Sequence, residues 1–307
     1  MKIDTDLLYR FESGLNPQQI GQSKVPATIL GYGEISTIFR IEGNNQAAFK
    51  RMPLFSSRQS AEDYILLYRE YSHLLQQAGL HLPDHDTIVV NLPQRPVVVY
   101  IAQTQLPADR FGHKLIQTTD RGYCIKLLEQ LAREVSKVWR YNVLSKPGVE
   151  LALDGQISNW VHLEGEGAHT MVYIDTSTPF LRKKGVEQMD PEPLLKSAPF
   201  FLRWALRWLF LEDVMTRYYD PRQVFMDIAA NLYKEQRRDL IPEAIGIFND
   251  HLTHQEKPMT ATEIEKYYRE DKLIWTLFLA FRRMDCWLTT KLLRQRYEFV
   301  LPGKIAR

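Results

Sequence analysis

The sequence predicts an α+β protein built from two unequal lobes. Residues 1–105 carry most of the strand-like patterns and one helical pattern, whereas residues 106–307 are mainly helical in pattern. The exception in the second part is WVHLEG, a Gly-Glu-Gly turn and HTMVYID, which together predict a β-hairpin. We therefore expect an antiparallel-sheet lobe followed by a helical lobe that carries one hairpin.

The composition is that of an ordinary globular protein without a strong charge. The chain has 307 residues, enough for two sub-domains that share a large core. Apolar residues make up 45%, charged residues 25%, and the formal net charge is +2. These values are typical of a globular protein and give no case for a nucleic-acid or other polyanion partner.

The cysteines and the amino-terminal sequence both favour a cytoplasmic protein. Cys124 and Cys286 are the only cysteines, and both lie in helix-like apolar stretches. This pattern fits buried thiols in a reducing compartment better than a disulfide framework. The start MKIDTDLLYRFESG has no basic segment followed by an apolar core, so we expect no signal peptide.

The longest apolar stretch, residues 198–214, is interrupted by Arg203 and Arg207. It is too short and too charged to predict a membrane span. The two arginines are four positions apart and share one side of a predicted helix. We expect that helix to pack against other helices, with an interfacial membrane helix as the alternative.

Five strand patterns and one helix make up the first lobe. The predicted strands are KVPATILGYG, ISTIFRIEG, QAAFKRMPL, TIVVN and RPVVVYIAQ. Gly43 and the asparagines after it predict a hairpin turn, because glycine and asparagine tolerate left-handed φ values. The helix is predicted over residues 60–80, with apolar residues at helical spacing and Gly79 as its cap.

Helical patterns in the second lobe cover residues 123–141, 200–217, 223–236 and 261–297. Aromatic side chains in these helices are candidates to line an acceptor pocket, although core packing is the favoured role for aromatics at helical spacing. These candidates are Trp204, Trp208, Tyr218 and Tyr219.

The stretch GYGEIS, residues 31–36, joins the first two strands and suits an anion. Glycine lets backbone N–H groups approach a ligand closely, and such groups bind phosphate oxygens. Gly31 and Gly33 are therefore candidates for a phosphate-binding loop. A tight β-turn without a ligand is the alternative, because a single Gly-x-Gly has little specificity.

A lysine on the third strand and a glutamate on the helix form a second candidate pair. Lys50 has apolar neighbours, so it either reaches solvent or faces a partner. Glu70 lies twenty residues later on the only helix of this lobe and could hold Lys50 towards phosphates. Glu62 is at the start of that helix, where an acidic residue stabilises the helix dipole without any further role.

The segment LDGQISNW places Asp154 and Asn159 five residues apart, just before the predicted hairpin, whose second strand ends at Asp175. Phosphoryl transfer needs a carboxylate near the acceptor hydroxyl and hard oxygen ligands for Mg²⁺. Asp154 fits the first role, and Asn159 and Asp175 fit the second. The same spacing recurs in DTIVVN, but no strand-borne aspartate follows it, so there we expect loop and strand-end residues.

In this order the residues resemble the signature of the protein-kinase-like superfamily: glycine loop, strand lysine, helix glutamate, Asp-x-x-x-x-Asn and strand-end aspartate. Within it, YREYSHLLQQAGLHLP and IDTSTPF are similar to segments of the aminoglycoside-phosphotransferase and choline-kinase-like branch. The resemblance covers residues 25–180. It implies a two-lobed fold and an ATP- and Mg²⁺-dependent transfer of a phosphoryl group to the hydroxyl of a small molecule.

The resemblance also implies roles for the residues that bind the nucleotide. Gly31, Gly33 and Ser36 would cover the ATP phosphates. Lys50 would contact the α- and β-phosphates and would be held by Glu70. The segment 100–104 would be the hinge between the lobes, where the backbone of Ala102 and Gln103 binds adenine.

The same resemblance places the chemistry in the second lobe. Asp154 would orient the acceptor hydroxyl or accept its proton, and Asn159 with Asp175 would hold Mg²⁺. Two departures stand out: Ala152 and Leu153 precede Asp154 where the family has histidine first, and Thr176 with Ser177 replaces Phe-Gly. The second departure argues against a switch of the protein-kinase type.

The sequence also leaves other functions open. A pseudokinase would keep the fold and bind nucleotide without transfer, and a related enzyme would transfer a nucleotidyl group or activate a carboxylate. The stretch HLEGEGAH offers a rival metal cluster, because histidine and carboxylates bind zinc or iron. A solvated hairpin tip is the favoured explanation, since the glycines break the strand. The cluster is His162, Glu164, Glu166 and His169.

Overall fold

The structure is a computed structural model that describes residues 1, 3–33, 35–144, 148–165, 168–203 and 215–303. Its first lobe contains a five-stranded antiparallel sheet with the strand order β1-β2-β3-β5-β4. The predicted α+β class, with a sheet lobe followed by a helical lobe, is confirmed. The strands are β1 (Ala27–Tyr32), β2 (Thr37–Ile41), β3 (Asn44–Phe55), β4 (His85–Val90) and β5 (Val97–Thr104).

Two helices cover the two faces of this sheet. The first, α1 (Thr5–Gly14), buries Phe11 against Phe39 and Tyr100 on one face. The second, α2 (Arg58–Gln77), packs Ile65 and Tyr68 against the other face. The sequence indicated α2 but not α1, whose short amphipathic pattern gave no clear signal.

Local turn chemistry sets the ends of these elements. Ser57 caps α2 through its side chain, which accepts from the backbone of Ser60 at 3.1 Å. Gly79 follows the helix with φ +92°, and Gly43 joins β2 to β3 with φ +99°. Both values are left-handed, so both predicted glycine roles are confirmed.

The second lobe is mainly helical, and the predicted hairpin is present as two paired strands. A small sheet of three further short strands, which the sequence did not reveal, lies in the order β10-β9-β6. Among the described residues of this lobe the helices are α3 (Gly112–Thr118), α4 (Arg121–Leu144), α5 (Glu192–Ser197), α6 (Pro221–Lys234), α7 (Ile241–Asp250) and α8 (Ala261–Trp287). The strands are β6 (Val149–Leu151), β7 (Trp160–Gly165), β8 (Ala168–Tyr173), β9 (Leu181–Lys183) and β10 (Val186–Glu187).

The core of this lobe forms around α4, which is buried along one side. Leu128 and Val135 of α4 share a cluster with Phe225 of α6, and Phe225 stacks on Phe248 of α7 at 5.0 Å between ring centroids. Both cysteines are free thiols, Cys124 buried and Cys286 half-buried. No helix in the described part of the chain has the length and apolar character needed to cross a membrane.

Two predicted helices do not coincide with a helix of the described residues over their full length. The pattern over residues 261–297 is too long, because α8 ends at Trp287 and a short wider-wound turn, Leu288–Leu292, follows. The chain then returns to the first lobe, where Tyr297 and Val300 are buried, so their apolar pattern reflects docking and not helix. Most of the predicted helix 200–217, including residues 204–214 and the two tryptophans, lies outside the described residues.

A buried ionic network fixes the carboxyl-terminal segment to the sheet. Arg51 of β3 is 1% exposed and contacts Glu12 of α1 at 2.7 Å and Glu298 at 2.8 Å. Arg95 also contacts both carboxylates, and Tyr100 Oη donates to Glu12 Oε2. Burial opposes ionisation of Glu12, but Arg51 and Arg95 together hold its pKa below the usual range.

We expect Glu12→Ala to lower the free energy of unfolding at pH 7 by roughly 3–5 kcal/mol, because removing one partner leaves buried guanidinium groups uncompensated. Equilibrium denaturation in urea measures the change. Since the folded pKa of Glu12 is depressed, its contribution is fully present above the unfolded pKa of about 4.3 and is lost as the pH falls through the folded pKa.

The matched control is Glu62→Ala, which removes a carboxylate from an exposed pair with Arg58 on α2. That change should cost no more than about 0.5 kcal/mol. Equal effects of the two substitutions would contradict the structural role given to Glu12.

Candidate active site

Lys50 reaches from the sheet to the second lobe. The side chain is 5% exposed, and Nζ donates to Ile174 O at 2.7 Å and to Asp175 Oδ1 at 3.1 Å. Ile174 and Asp175 directly follow β8, the second strand of the hairpin. The lysine on the third strand therefore faces a partner, and the aspartate at the strand end is that partner.

Asp175 is held in its ionised form. Ser177 Oγ donates to Asp175 Oδ1 at 2.8 Å, on the same oxygen that Lys50 contacts. Burial favours the neutral acid, but the charge of Lys50 and the bonds from Ser177 outweigh it, so the pKa of Asp175 lies below its usual value. The carboxylate thus carries a full negative charge at neutral pH.

The loop from Asp154 to Asn159 is hydrogen-bonded to the same segment. Asn159 O accepts from Ile174 N at 3.0 Å, and Asn159 Nδ2 donates to Asp154 O at 3.2 Å. Gln156 N donates to the Asp154 carboxylate at 3.0 Å. A continuous series of bonds therefore connects Lys50 with the backbone of Asp154, through Ile174 and Asn159.

Close packing holds this loop against two helices. A Cβ at Gly112 of α3 would lie 2.5 Å from Ile157 O, and one at Gly155 would lie 2.7 Å from Val224 of α6. Asn231 Oδ1 of α6 accepts from Ile157 N at 3.3 Å. Only glycine permits such close approaches, so the loop conformation is set by the helical lobe itself.

The predicted pair of Lys50 with Glu70 is wrong. Glu70 Oε1 lies 2.6 Å from Lys183 Nζ of β9, in a pair that is about 40% exposed on both sides. The inward positions of α2 include Tyr68 and Tyr71. Glu70 follows Tyr68 by two residues, about 200° around the helix, which turns the carboxylate away from Lys50.

Three tyrosines of α2 contact the site where the glutamate was expected. Tyr64 Oη donates to Ser177 O at 2.8 Å, and Tyr71 Oη donates to Ala152 O at 2.7 Å. Thr176 Oγ1 donates to Tyr68 Oη at 3.3 Å. Burial raises the pKa of Tyr64 and Tyr71 well above its ordinary value, so both remain neutral donors. The helix thus binds both the segment that follows β8 and the segment that leads into the Asp154 loop.

Ala102 and Gln103 lie inside β5, which pairs with β3 on one side and β4 on the other. Their backbone groups are used within the sheet, so the predicted backbone contact with a base does not fit these two positions. The Gln103 side chain has a different role: Nε2 donates to Ile174 O at 3.0 Å and to Thr176 Oγ1 at 3.3 Å. Gln103 therefore also supports the segment that carries Asp175.

The glycine loop lies above the lysine on the same face of the sheet. Gly31 is the register partner of Ile38, and Ile38 is the register partner of Lys50, so all three share one face. Gly33 N donates to Ser36 O at 2.9 Å, which closes the turn. Ser36 is buried, and a Cβ at Gly33 would lie 2.8 Å from Ser36 Oγ.

A small crevice opens next to Asp154 in the helical lobe. Its walls include Asp227 of α6 and also Arg217 and Tyr218, which precede that helix. Burial raises the pKa of Asp227 to about 6 although Arg217 opposes the shift, and Tyr267 Oη donates to its carboxylate at 3.1 Å. Of the aromatic candidates, Tyr218 lines this crevice, whereas Tyr219 Oη donates to a carboxylate of β10.

The rival metal cluster is only partly described. His162 Nδ1 is 2.6 Å from Tyr123 Oη, and Glu164 pairs with Arg110 at 2.7 Å, so both have other partners. Glu166 and the side chain of His169 lie outside the described residues. Within the described part, no group of three or more His, Cys, Asp or Glu side chains could hold a metal ion.

Comparisons with known proteins give one family and distant structural neighbours. The profile described as "Family of unknown function (DUF6206)" matches residues 18–286, and no curated protein matches. The structure "WaaP in complex with acyl carrier protein" is 12% identical, with TM-score 0.35 over 80% of this chain and 90% of that chain. The GDP and kanamycin complex of APH(2")-IIia is 13% identical, with TM-score 0.33 over 76% of this chain and 95% of that chain.

The described residues form an antiparallel-sheet lobe followed by a mainly helical lobe, and Lys50 of the first contacts Asp175 of the second. At these TM-scores the neighbours themselves carry no argument about function. The chain belongs to the family of unknown function DUF6206, whose profile covers both lobes.

We expect Tyr71→Phe to lower the free energy of unfolding by about 1–3 kcal/mol, because the buried carbonyl of Ala152 loses its donor. Urea denaturation measures the difference. Tyr141→Phe is the matched control, since Tyr141 Oη donates at an exposed position to Gln77 at 3.2 Å. A Tyr71→Phe protein as stable as the Tyr141→Phe control would show that the tyrosine does not hold the loop.

Proposed function

We propose that this protein binds a magnesium–nucleoside triphosphate complex, with ATP as the expected nucleotide, and transfers the γ-phosphoryl group to a hydroxyl of a small molecule. The observation that carries the proposal is the series of bonds joining Lys50, Asp175, Asn159 and Asp154. Phosphoryl transfer depends on positioning and charge neutralisation, and these four groups supply both.

The nucleotide phosphates would lie between the glycine loop and Lys50. Gly31 shares the sheet face of Lys50, and exposed apolar side chains at Leu30 and Tyr32 flank that glycine. Lys50 would exchange its contact with Asp175 for the α- and β-phosphates as the cation arrives. Such an exchange keeps the buried ammonium paired at each stage.

The residues present fit a magnesium ion. Asn159 Nδ2 donates to Asp154 O, so the amide oxygen would be the atom that contacts a cation, and the pKa of Asp175 is lowered. Magnesium in proteins is usually bound by one or two carboxylates together with substrate phosphates. When bound, the ion would neutralise charge on the transferred group. Asn159 and Asp175 are therefore the proposed protein ligands.

Asp154 would act on the acceptor. It lines a crevice of about 10 Å³ together with Tyr218 and Asp227. Because that volume holds no more than a water molecule, a small hydroxyl compound would reach Asp154 from outside the crevice. Asp154 would orient the hydroxyl and accept its proton as the oxygen attacks the γ-phosphorus and the bond to the nucleoside diphosphate breaks.

A nucleotide-binding protein without transfer is the second candidate. The observation that favours it is the exposed pair of Glu70 with Lys183, which leaves Lys50 without a helix carboxylate among the described residues. The two candidates make different predictions for Asp154, because only the enzyme needs a group that accepts the hydroxyl proton.

We expect Asp154→Ala to retain Mg²⁺-dependent stabilisation by ATP and to lose phosphoryl transfer by about 10²–10⁴-fold, the usual contribution of a general base. Asp175→Ala should lose the Mg²⁺-dependent stabilisation itself, because a ligand raises the apparent stability only of a state that binds it. Thermal denaturation with ATP and Mg²⁺, together with release of ADP in the presence of candidate hydroxyl acceptors, measures both effects.

Asp86→Ala is the matched control, since Asp86 belongs to the other Asp-x-x-x-x-Asn pattern and lies on β4, 3.8 Å from Arg69. It should behave as the unaltered protein in both measurements. Full turnover by Asp154→Ala would contradict the proposed role of Asp154 in phosphoryl transfer. Stabilisation by nucleotide without turnover in the unaltered protein would favour the second candidate.

A further inference from the structure

A second cavity of about 560 Å³ lies away from the residues proposed for phosphoryl transfer. It is bounded by Pro53 and Phe55 at the end of β3, by residues 196–203 of the second lobe, and by the returning segment 295–299. None of the residues Lys50, Asp154, Asn159 and Asp175 lines it. Its volume is in the range of about 300–1,000 Å³ that is usual for small-molecule sites.

The charge of the cavity wall is mainly positive. Four basic side chains, Arg95, Lys196, Arg203 and Arg296, face two acidic ones, Asp285 and Glu298. Glu298 is already shared among three arginines, Arg51, Arg95 and Arg296. Glu12 also pairs with Arg51 and Arg95, so two carboxylates serve three guanidinium groups, and neither of them contacts Lys196 or Arg203.

Of the four cations of the cavity wall, Lys196 and Arg203 are the two without a carboxylate within 4.0 Å among the described residues. Glu192 and Asp190 act on Lys196, and Asp285 on Arg203, only at longer range. Arg203 donates to the backbone oxygens of Ala198 at 3.1 Å and Lys196 at 3.2 Å. Burial and the nearby charge of Arg203 lower the pKa of Lys196. An anion placed between these two groups would relieve their repulsion.

Aromatic side chains form the rest of the wall. Phe55, Phe200 and Phe299 all line the cavity, and Phe200 is 51% exposed. Such an exposed apolar surface next to two cations that lack a carboxylate contact suits a ligand with a charged end and an apolar body. A bare inorganic anion would leave the aromatic part of the wall unused.

We propose that this cavity binds a small organic phosphate, whose phosphate group contacts Lys196 and Arg203 and whose apolar part packs on Phe55, Phe200 and Phe299. The site is separate from the one proposed for nucleotide, and it does not depend on phosphoryl transfer. Because its lining comes from the sheet, the helical lobe and the carboxyl-terminal segment, the ligand would join all three.

Isothermal titration with phenyl phosphate at low ionic strength tests the proposal. The unaltered protein should bind phenyl phosphate more tightly than inorganic phosphate or benzyl alcohol, since each of those lacks one half of the ligand. Lys196→Gln should weaken binding roughly ten- to a hundredfold, the usual effect of removing one charged hydrogen-bond donor. Lys291→Gln, a change at an exposed lysine that does not line the cavity, should bind as the unaltered protein does.

Lys50→Met separates this site from the nucleotide site. Phenyl phosphate should still bind to Lys50→Met, whereas binding that depends on Lys50 and not on Lys196 would overturn the proposal. Absence of measurable heat in the unaltered protein would overturn it as well. Neither result bears on Mg²⁺-dependent stabilisation by ATP, so the two proposals fail independently. The melting temperature of each variant shows that the fold is kept.

Discussion

The contact between Lys50 and Asp175 is the constraint on which the rest of the site depends. Lys50 belongs to a central strand, and its ammonium group is almost inaccessible to water. A buried ammonium without a counter-ion would cost several kcal/mol, of the order of the penalty for a buried ion. The segment carrying Asp175 must therefore lie at the end of this side chain. The bond from Ile174 to Asn159 then fixes the loop that contains Asp154.

The neighbouring residue on β3 makes a second connection in the opposite direction. Successive side chains of a strand point to opposite faces, so Arg51 leaves the sheet on the side covered by α1. There it joins Glu12 near the start of the chain and Glu298 near its end. One strand thus carries two buried cations in succession, and each fixes a different part of the chain to the sheet. The cavity beside Glu298 exists because the returning segment docks at this point.

The sequence predicted the features that depend on local patterns and missed those that depend on distant contacts. Strand alternation, helix periodicity and glycine turns are local, and they placed the five strands, α2 and the hairpin. Residue type and order selected Lys50 and Asp175, which are in contact in the structure, and also Asp154, whose role stays a prediction. The predicted pairing of Glu70 with Lys50 failed because the order of residues along the chain does not show which side of the helix a residue faces. The tyrosines of α2 recur at helical spacing on its inward side, and this pattern could have predicted that they, and not Glu70, face the site. The contacts of Arg51 span 39 and 247 residues, beyond any local pattern.

A double-mutant cycle on the free energy of unfolding tests the central contact most directly. The cycle compares Lys50→Met, Asp175→Asn and the double variant by urea denaturation without nucleotide. If the two groups form the buried pair described, the double variant should be more stable than the sum of the single effects implies, with a coupling of roughly 1–3 kcal/mol. Effects that simply add would mean that Lys50 and Asp175 do not interact, and the proposed site would lose its foundation.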